Sequence, residues 1–295
     1  MNNDFSLWAI AILFIDLLIA IGAICALRYL QGLLAGVDTT TELATRDNYA
    51  FGISVAGGTL ALALVLAGAV SGEASAGLLS EAWNVAMYAV IGIVLLKVGT
   101  LINDQVIFHR FSLKQQVHEH NIAAGIVQAT NLIALGLIIN TAAYWVESES
   151  WLGVFWVILV FFVAQIVLLA VTRLRGRIYE KRHNGETLQS ALEKGNSALA
   201  IRYAGHLLSA ALGVKAASGL VAYQSLALVS LVFSWLFVAL LITAAISGLA
   251  ALARHAVLLN INVVEEVDEQ QNIGVASIEA STYIAVGLIV SSLLG

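Results

Sequence analysis

The sequence predicts an all-α integral membrane protein with eight transmembrane helices, arranged as two parallel four-helix repeats. Three observations carry that expectation. Of 295 residues, 60% are hydrophobic and only 11% are charged, against about 25% charged in ordinary soluble domains. Eight apolar segments of spanning length follow one another, near residues 7–29, 50–70, 82–102, 121–144, 151–172, 197–222, 225–252 and 272–294. The second half of the chain also repeats the first. The net charge of −5 says little, because the charges are segregated by loop.

The first span follows Met1–Ser6, which holds no basic residue, so no cleavable signal is expected. Its single cysteine, Cys25, excludes an intrachain disulfide. The connections then alternate in kind. Those at 71–81, 145–150 and 223–224 contain no Lys or Arg. The others hold Arg28, Arg46, Arg110, Lys114, Arg173, Arg175, Arg177, Lys181, Arg182, Lys194 and Arg254, eleven of the fourteen basic residues. The positive-inside rule therefore places both termini outside and the longer connections in the cytoplasm. Trp8, Trp83, Trp145, Trp151 and Trp156 fall near the outer ends, where an aromatic belt is expected. The 103–120 connection is expected to continue the third helix. There is no proline, which argues against spans broken by proline.

The repeat is legible in two places. Asp47–Gly58 aligns with Gly195–His206 at a shift of 148, and Asn121–Ile139 aligns with Asn272–Val290 at a shift of 151. The expected units are residues 1–146 and 147–295. Four helices per unit give both the same orientation, a parallel repeat, for which a pseudo-two-fold axis along the membrane normal is expected.

With Asn48-Tyr49-Ala50-Phe51-Gly52 and Asn121-Ile122-Ala123-Ala124-Gly125, the first half resembles the YjfL-like bacterial inner-membrane proteins, the family of domain of unknown function 350. The second half resembles them too, but Ala200 replaces the glycine, and Arg202, His206 and Glu279 are added. The resemblance implies a four-span unit in a bacterial inner membrane, with periplasmic termini, and brings no activity.

The residues must therefore carry the functional argument. Asn48, Asn121, Asn196 and Asn272 each open a helix, as N-caps or as a ring of helix N-termini facing an anion. Arg202 and Glu279 lie six and seven residues past their asparagines, at matching depth, and their first-half counterparts are the neutral Ser54 and Gln128. Their spacing predicts a salt bridge, read either as a structural tie or as a gate or proton site. His206 follows Arg202 by one turn and suits an interhelical hydrogen bond or a proton relay. Asp16 and Lys215 share a depth and could meet. Lys97 is expected to snorkel, and Gln128 and Asn131 to bond across helices. Gly52-x-x-x-Ala56 marks close packing, within the chain or between copies.

His118 and His120 point about 200° apart on a helix, so no metal site is expected. No cofactor, nucleic-acid or catalytic motif is read, and no enzyme is expected. The acidic run Glu265, Glu266, Asp268 and Glu269 could pair with the basic run 173–182 or dock a cytoplasmic protein. Besides the lipid bilayer, a homo-oligomer remains open. Two readings follow. One is a non-catalytic membrane module, a scaffold or sensor that reads the bilayer and docks a cytoplasmic stress-response partner. The alternative is a proton or small-ion conduit lined by Arg202, His206 and Glu279.

Overall fold

The computed structural model describes residues 7–70, 77–145, 151–222 and 228–295. Helices α1 (Leu7–Ala35), α2 (Tyr49–Ala69), α3 (Leu78–Ile102), α4 (Leu113–His118) and α5 (Ile122–Trp145) come from the first half. Helices α6 (Trp151–Arg182), α7 (Leu188–Glu193), α8 (Ser197–Leu220), α9 (Leu228–Val257) and α10 (Ile273–Leu294) come from the second. Single turns of π-helix occupy Thr41–Thr45, Asn103–Ile107 and Glu265–Glu269. No strand occurs among the described residues.

Among the described residues, seven helices are long and apolar enough to cross a membrane. The expected sixth span, α8, is 24 residues long but is not among them. Arg202, His206, Ser209 and Lys215 dilute its apolarity, and α8 is wrapped instead by protein on nearly every side. The 103–120 connection extends α3 by only one π turn before the chain folds back into α4.

The core is a row of four tightly packed helices, in the order α2, α5, α8, α10. Glycines set the closeness of the pairs. A Cβ on Gly125 would lie 2.6 Å from the Ala50 carbonyl oxygen, and one on Gly136 would lie 2.7 Å from the Ala61 Cα. Gly205 on α8 meets the Ala280 backbone of α10 in the same way. Helix backbones approach this closely only where a side chain is missing.

The row is open. A two-fold axis would seat α10 on α2 as well as α5 on α8, and α10 does not pack on α2. The expected pseudo-two-fold is thus replaced by a head-to-tail arrangement, in which the fourth span of one repeat meets the second span of the next.

The aromatic belt is only partly present. Trp8 and Trp83 are exposed. Trp145 is buried, stacks on Trp235 and donates from Nε1 to the Val221 carbonyl at 2.6 Å. Trp156 is buried too. Both serve helix packing rather than the lipid interface. The Trp151 side chain, and most of the expected outer connections, lie outside the described residues.

Candidate functional site

Each row helix starts the same way. A short turn or helix ends in a residue with left-handed backbone: Asp47 at φ 47°, His120 at 67°, Gly195 at 86° and Gln271 at 54°. An asparagine follows and caps the helix with its Oδ1. Asn48 accepts from the Phe51 N–H at 3.0 Å, Asn121 from Ala124 at 3.2 Å, Asn196 from Leu199 at 2.9 Å and Asn272 from Val275 at 3.1 Å. The left-handed residue swings the chain into the span, and the cap satisfies an N–H that helix geometry leaves without a partner.

The amide end of each asparagine does a second job. Asn48 Nδ2 donates to the Val117 carbonyl at 3.0 Å, in the segment that leads into α5. Asn121 donates to the carbonyls of Leu192 and Glu193 at 3.0 Å, in the segment that leads into α8. Asn196 donates to the Asp268 carbonyl at 3.2 Å, in the segment that leads into α10. Three of the four asparagines therefore tie a helix start to its successor in the row. Among the described residues Asn272 Nδ2 reaches only its own Glu266, at 2.7 Å.

Above this ladder the second half holds a buried ionic cluster. Arg202 Nε and Glu279 Oε2 meet at 2.6 Å, the contact their matching depth predicts. Arg202 Nη1 also binds Asp268 Oδ1, and its Nη2 donates to the Val263 carbonyl at 2.7 Å. The second Glu279 oxygen takes Arg254 Nη1 at 2.9 Å. His183 Nε2 stands 3.5 Å from the second Asp268 oxygen. Two buried acids and two guanidinium groups thus neutralise one another, as burial of charge demands. Burial holds Asp268 above the ordinary aspartate range, with Arg202 and His183 offsetting only part of that effect.

Asp268, Arg254 and His183 were not singled out from the sequence. The repeat could have found Asp268, because a shift of 151 puts the apolar Val117 at its place. Among the acidic run it alone is a buried carboxylate, turned inward by the π turn onto Arg202 and His183. His206 stays out of the cluster. Its ring lies edge-on to Tyr283, at 4.2 Å between centroids, and its buried Nδ1 has no hydrogen-bond partner among the described residues. Tyr283 in turn lies 5.4 Å under the Arg175 guanidinium. Asp16 and Lys215 do not meet, because α1 packs on α2 and α3 and not on α8.

The first half differs at the same level. Ser54, Gly58 and Gln128, counterparts of Arg202, His206 and Glu279, line a cavity of about 350 Å³ between α1, α2, α3, α4 and α5. Gln31 and Lys97 line it as well. The Oε1 atoms of Gln31 and Gln128 are buried without a hydrogen-bond partner among the described residues. Lys97 is half-buried and lines this cavity. Asn131 turns away from it and accepts from the Tyr203 hydroxyl of α8 at 3.2 Å.

Below the cavity, Glu42 is a buried carboxylate held by Arg46 Nη1 at 2.8 Å and Asn48 Nδ2 at 3.0 Å. Burial alone would raise its pKa, but the Asn48 hydrogen bond and the Arg46 and His118 charges outweigh that and hold it below the ordinary 4.5. The folded state then favours the carboxylate, so its contribution is present above about pH 4.5 and is lost as the pH falls through the lowered folded value. Thermal unfolding of the wild-type protein is expected to lose stability across that acid window, and Glu42→Gln to flatten the dependence.

Comparison with known proteins bears on the whole chain. The model of the Domain of Unknown Function (DUF350) family matches residues 5–143 and again residues 150–294, a tandem duplication. A UPF0719 transmembrane protein of Aquifex aeolicus (strain VF5) is 26% identical over 97 residues, covering 33% of this chain and 36% of that relative. No solved structure matches the chain. This multi-span helical membrane protein therefore belongs to the DUF350 family, as two copies of its domain in one chain.

Proposed function

We propose that the protein is a non-catalytic sensor module of a bacterial inner membrane, which takes an anionic lipid into the cavity of its first repeat. In this reading all eight long helices cross the bilayer. The units are 1–146 and 147–295, and both termini face the periplasm. The observation that carries it is the asymmetry between the halves. Where the second repeat is filled by a neutralised ionic cluster, the first leaves a cavity lined by Lys97 and Lys114 and by no acidic residue. Leu27, Phe51, Ile93 and Leu132 add an apolar wall. A positive, amide-rich rim beside apolar side chains suits an anionic headgroup with the start of its acyl chain. The headgroup would bring acceptors to Lys97, which makes no hydrogen bond or ion pair among the described residues.

The ionic cluster supports a structural part for the second repeat. It joins α8, α9, α10 and the turn before α10; three of its four carboxylate oxygens face a guanidinium group and the fourth faces the His183 ring. The alternative, an ion conduit, draws on one observation: the His206 Nδ1 that lacks a partner among the described residues. Native mass spectrometry in mild detergent tests the lipid reading. One anionic lipid is expected to stay bound per chain, in preference to a zwitterionic lipid of the same chain length. Lys97→Gln is expected to weaken it about tenfold, the loss of one charge-assisted contact of about 1.5 kcal/mol. Equal retention of both lipids would reject the reading. Proton or ion flux in proteoliposomes, abolished by Glu279→Gln, would establish the conduit in its place.

A further inference from the structure

The open row of helices has two unlike ends, and they match. At the interior joint, Asn131 of α5 meets Tyr203 of α8. Residues on α5 at helical spacing from Asn131, namely Val127, Ala134, Ile138 and Ala142, are all fully buried. A shift of 151 carries this face onto α10 as Ile278, Thr282, Ala285, Ile289 and Leu293. There Ile278, Ala285, Ile289 and Leu293 are exposed and Thr282 is half-buried.

The other side of the joint behaves alike. Around Tyr203, the α8 residues Ala200, Leu207 and Ala211 are buried. A shift of 148 gives Gly52, Val55, Thr59 and Ala63 on α2, of which Ala63 is exposed and the others half-buried. These small residues include Gly52 of the Gly52-x-x-x-Ala56 pattern, and Ala56 is exposed too.

Two further observations agree. The ladder of asparagine amides stops at Asn272, whose amide binds its own Glu266 and no following helix start among the described residues. Its counterpart Asn121 binds the carbonyls of Leu192 and Glu193, and a shift of 148 makes these Ala44 and Thr45, the end of the turn that opens α2. Coverage of the outer helices differs as well. The span of α6, which lies over the α5–α8 joint, is 44% buried, while its counterpart α1 is only 6% buried.

We infer that copies of this chain associate head to tail in the membrane, with α10 of one copy packed on α2 of the next in the geometry of the α5–α8 joint. Asn272 of one copy then donates to the Ala44 and Thr45 carbonyls of its neighbour, and α1 of the neighbour covers the new joint. Because the repeats are parallel, every copy keeps one orientation across the bilayer. A heterologous joint of this kind closes into a ring when its rotation divides a full turn. The inference does not depend on the lipid cavity.

Cysteine cross-linking tests it in full-length protein in native membranes, with Cys25→Ser as background. Val55→Cys and Thr282→Cys are the counterparts of Tyr203 and Asn131. Together in one chain, with a short bis-maleimide, they are expected to give a ladder of dimers, trimers and larger species. Either one alone is expected to give none. Co-expression of the two single variants is expected to stop at dimers. A double variant that stays monomeric would overturn the inference, as would single variants that cross-link to themselves, which would show a two-fold dimer. Ala285→Trp, on an exposed position, is expected to abolish the ladder with the melting temperature unchanged. A ladder that survives it would place the contact elsewhere and also overturn the inference.

Discussion

Glu279→Gln is expected to destabilise the folded protein by about 3–5 kcal/mol, the cost of removing one partner from a buried ion pair. Glu279 is 1% exposed and holds both Arg202 and Arg254. The amide keeps the shape and can still accept one hydrogen bond, but it removes the charge that offsets two guanidinium groups. Arg202 retains Asp268, while Arg254, half-buried at the end of α9, loses its ion pair. The variant should therefore loosen α9 from α10 first. Combining Glu279→Gln with Arg202→Met should cost less than the sum of the two single changes, because the partners share one network. Steric-trap unfolding in bicelles measures both quantities. A loss below about 1 kcal/mol, the range of an exposed pair, would show that the cluster is open to water.

Gly136→Ala and Gly125→Ala are the second pair of large effects. Each adds only a methyl group, but that group would lie 2.6 Å from a carbonyl oxygen of α2, at Ala61 and Ala50 respectively. Backbone cannot swing aside as a side chain can, so α2 must move outward. Each change is expected to cost about 1–3 kcal/mol. Their separation along α5, about 16 Å, makes the effects add to roughly 2–6 kcal/mol. Gly22→Ala is the control. Nothing lies within 4 Å of its Cβ position, and the change should be neutral or stabilising by up to about 1 kcal/mol through helix propensity. The same unfolding assay compares all three.

Several parts of this molecule were legible in the sequence because they rest on local chemistry. The apolar runs, the asparagine caps and the repeat all follow from residue type and spacing. The Arg202–Glu279 contact was legible because two residues at matching depth in adjacent helices each lacked a charged counterpart in the other repeat. Asp268 was harder to see, since one acid in a run of four looks solvated until a π turn points it inward, and only its apolar counterpart Val117 sets it apart. The row of helices was hidden for a different reason. A parallel repeat is compatible with both two-fold and head-to-tail packing, and only the α5–α8 contact without an α10–α2 contact separates them. The cavity could not be read either. Ser54, Gly58 and Gln128 are individually bland, and space appears only where the larger residues of the second repeat have no equivalent.

That contrast between a filled and an open repeat is the centre of the account. Photo-cross-linking with an anionic lipid that carries a diazirine near its headgroup tests it most directly, with labelled peptides mapped across the whole chain. Label is expected on the cavity wall of the first repeat, at α1, α3 and α4 around Gln31, Lys97 and Lys114, and to fall at least tenfold in Lys97→Gln. The counterpart positions on α6, α9 and the turn before α10 are expected to stay unlabelled. Equal labelling of the two repeats, or labelling indifferent to Lys97, would contradict it.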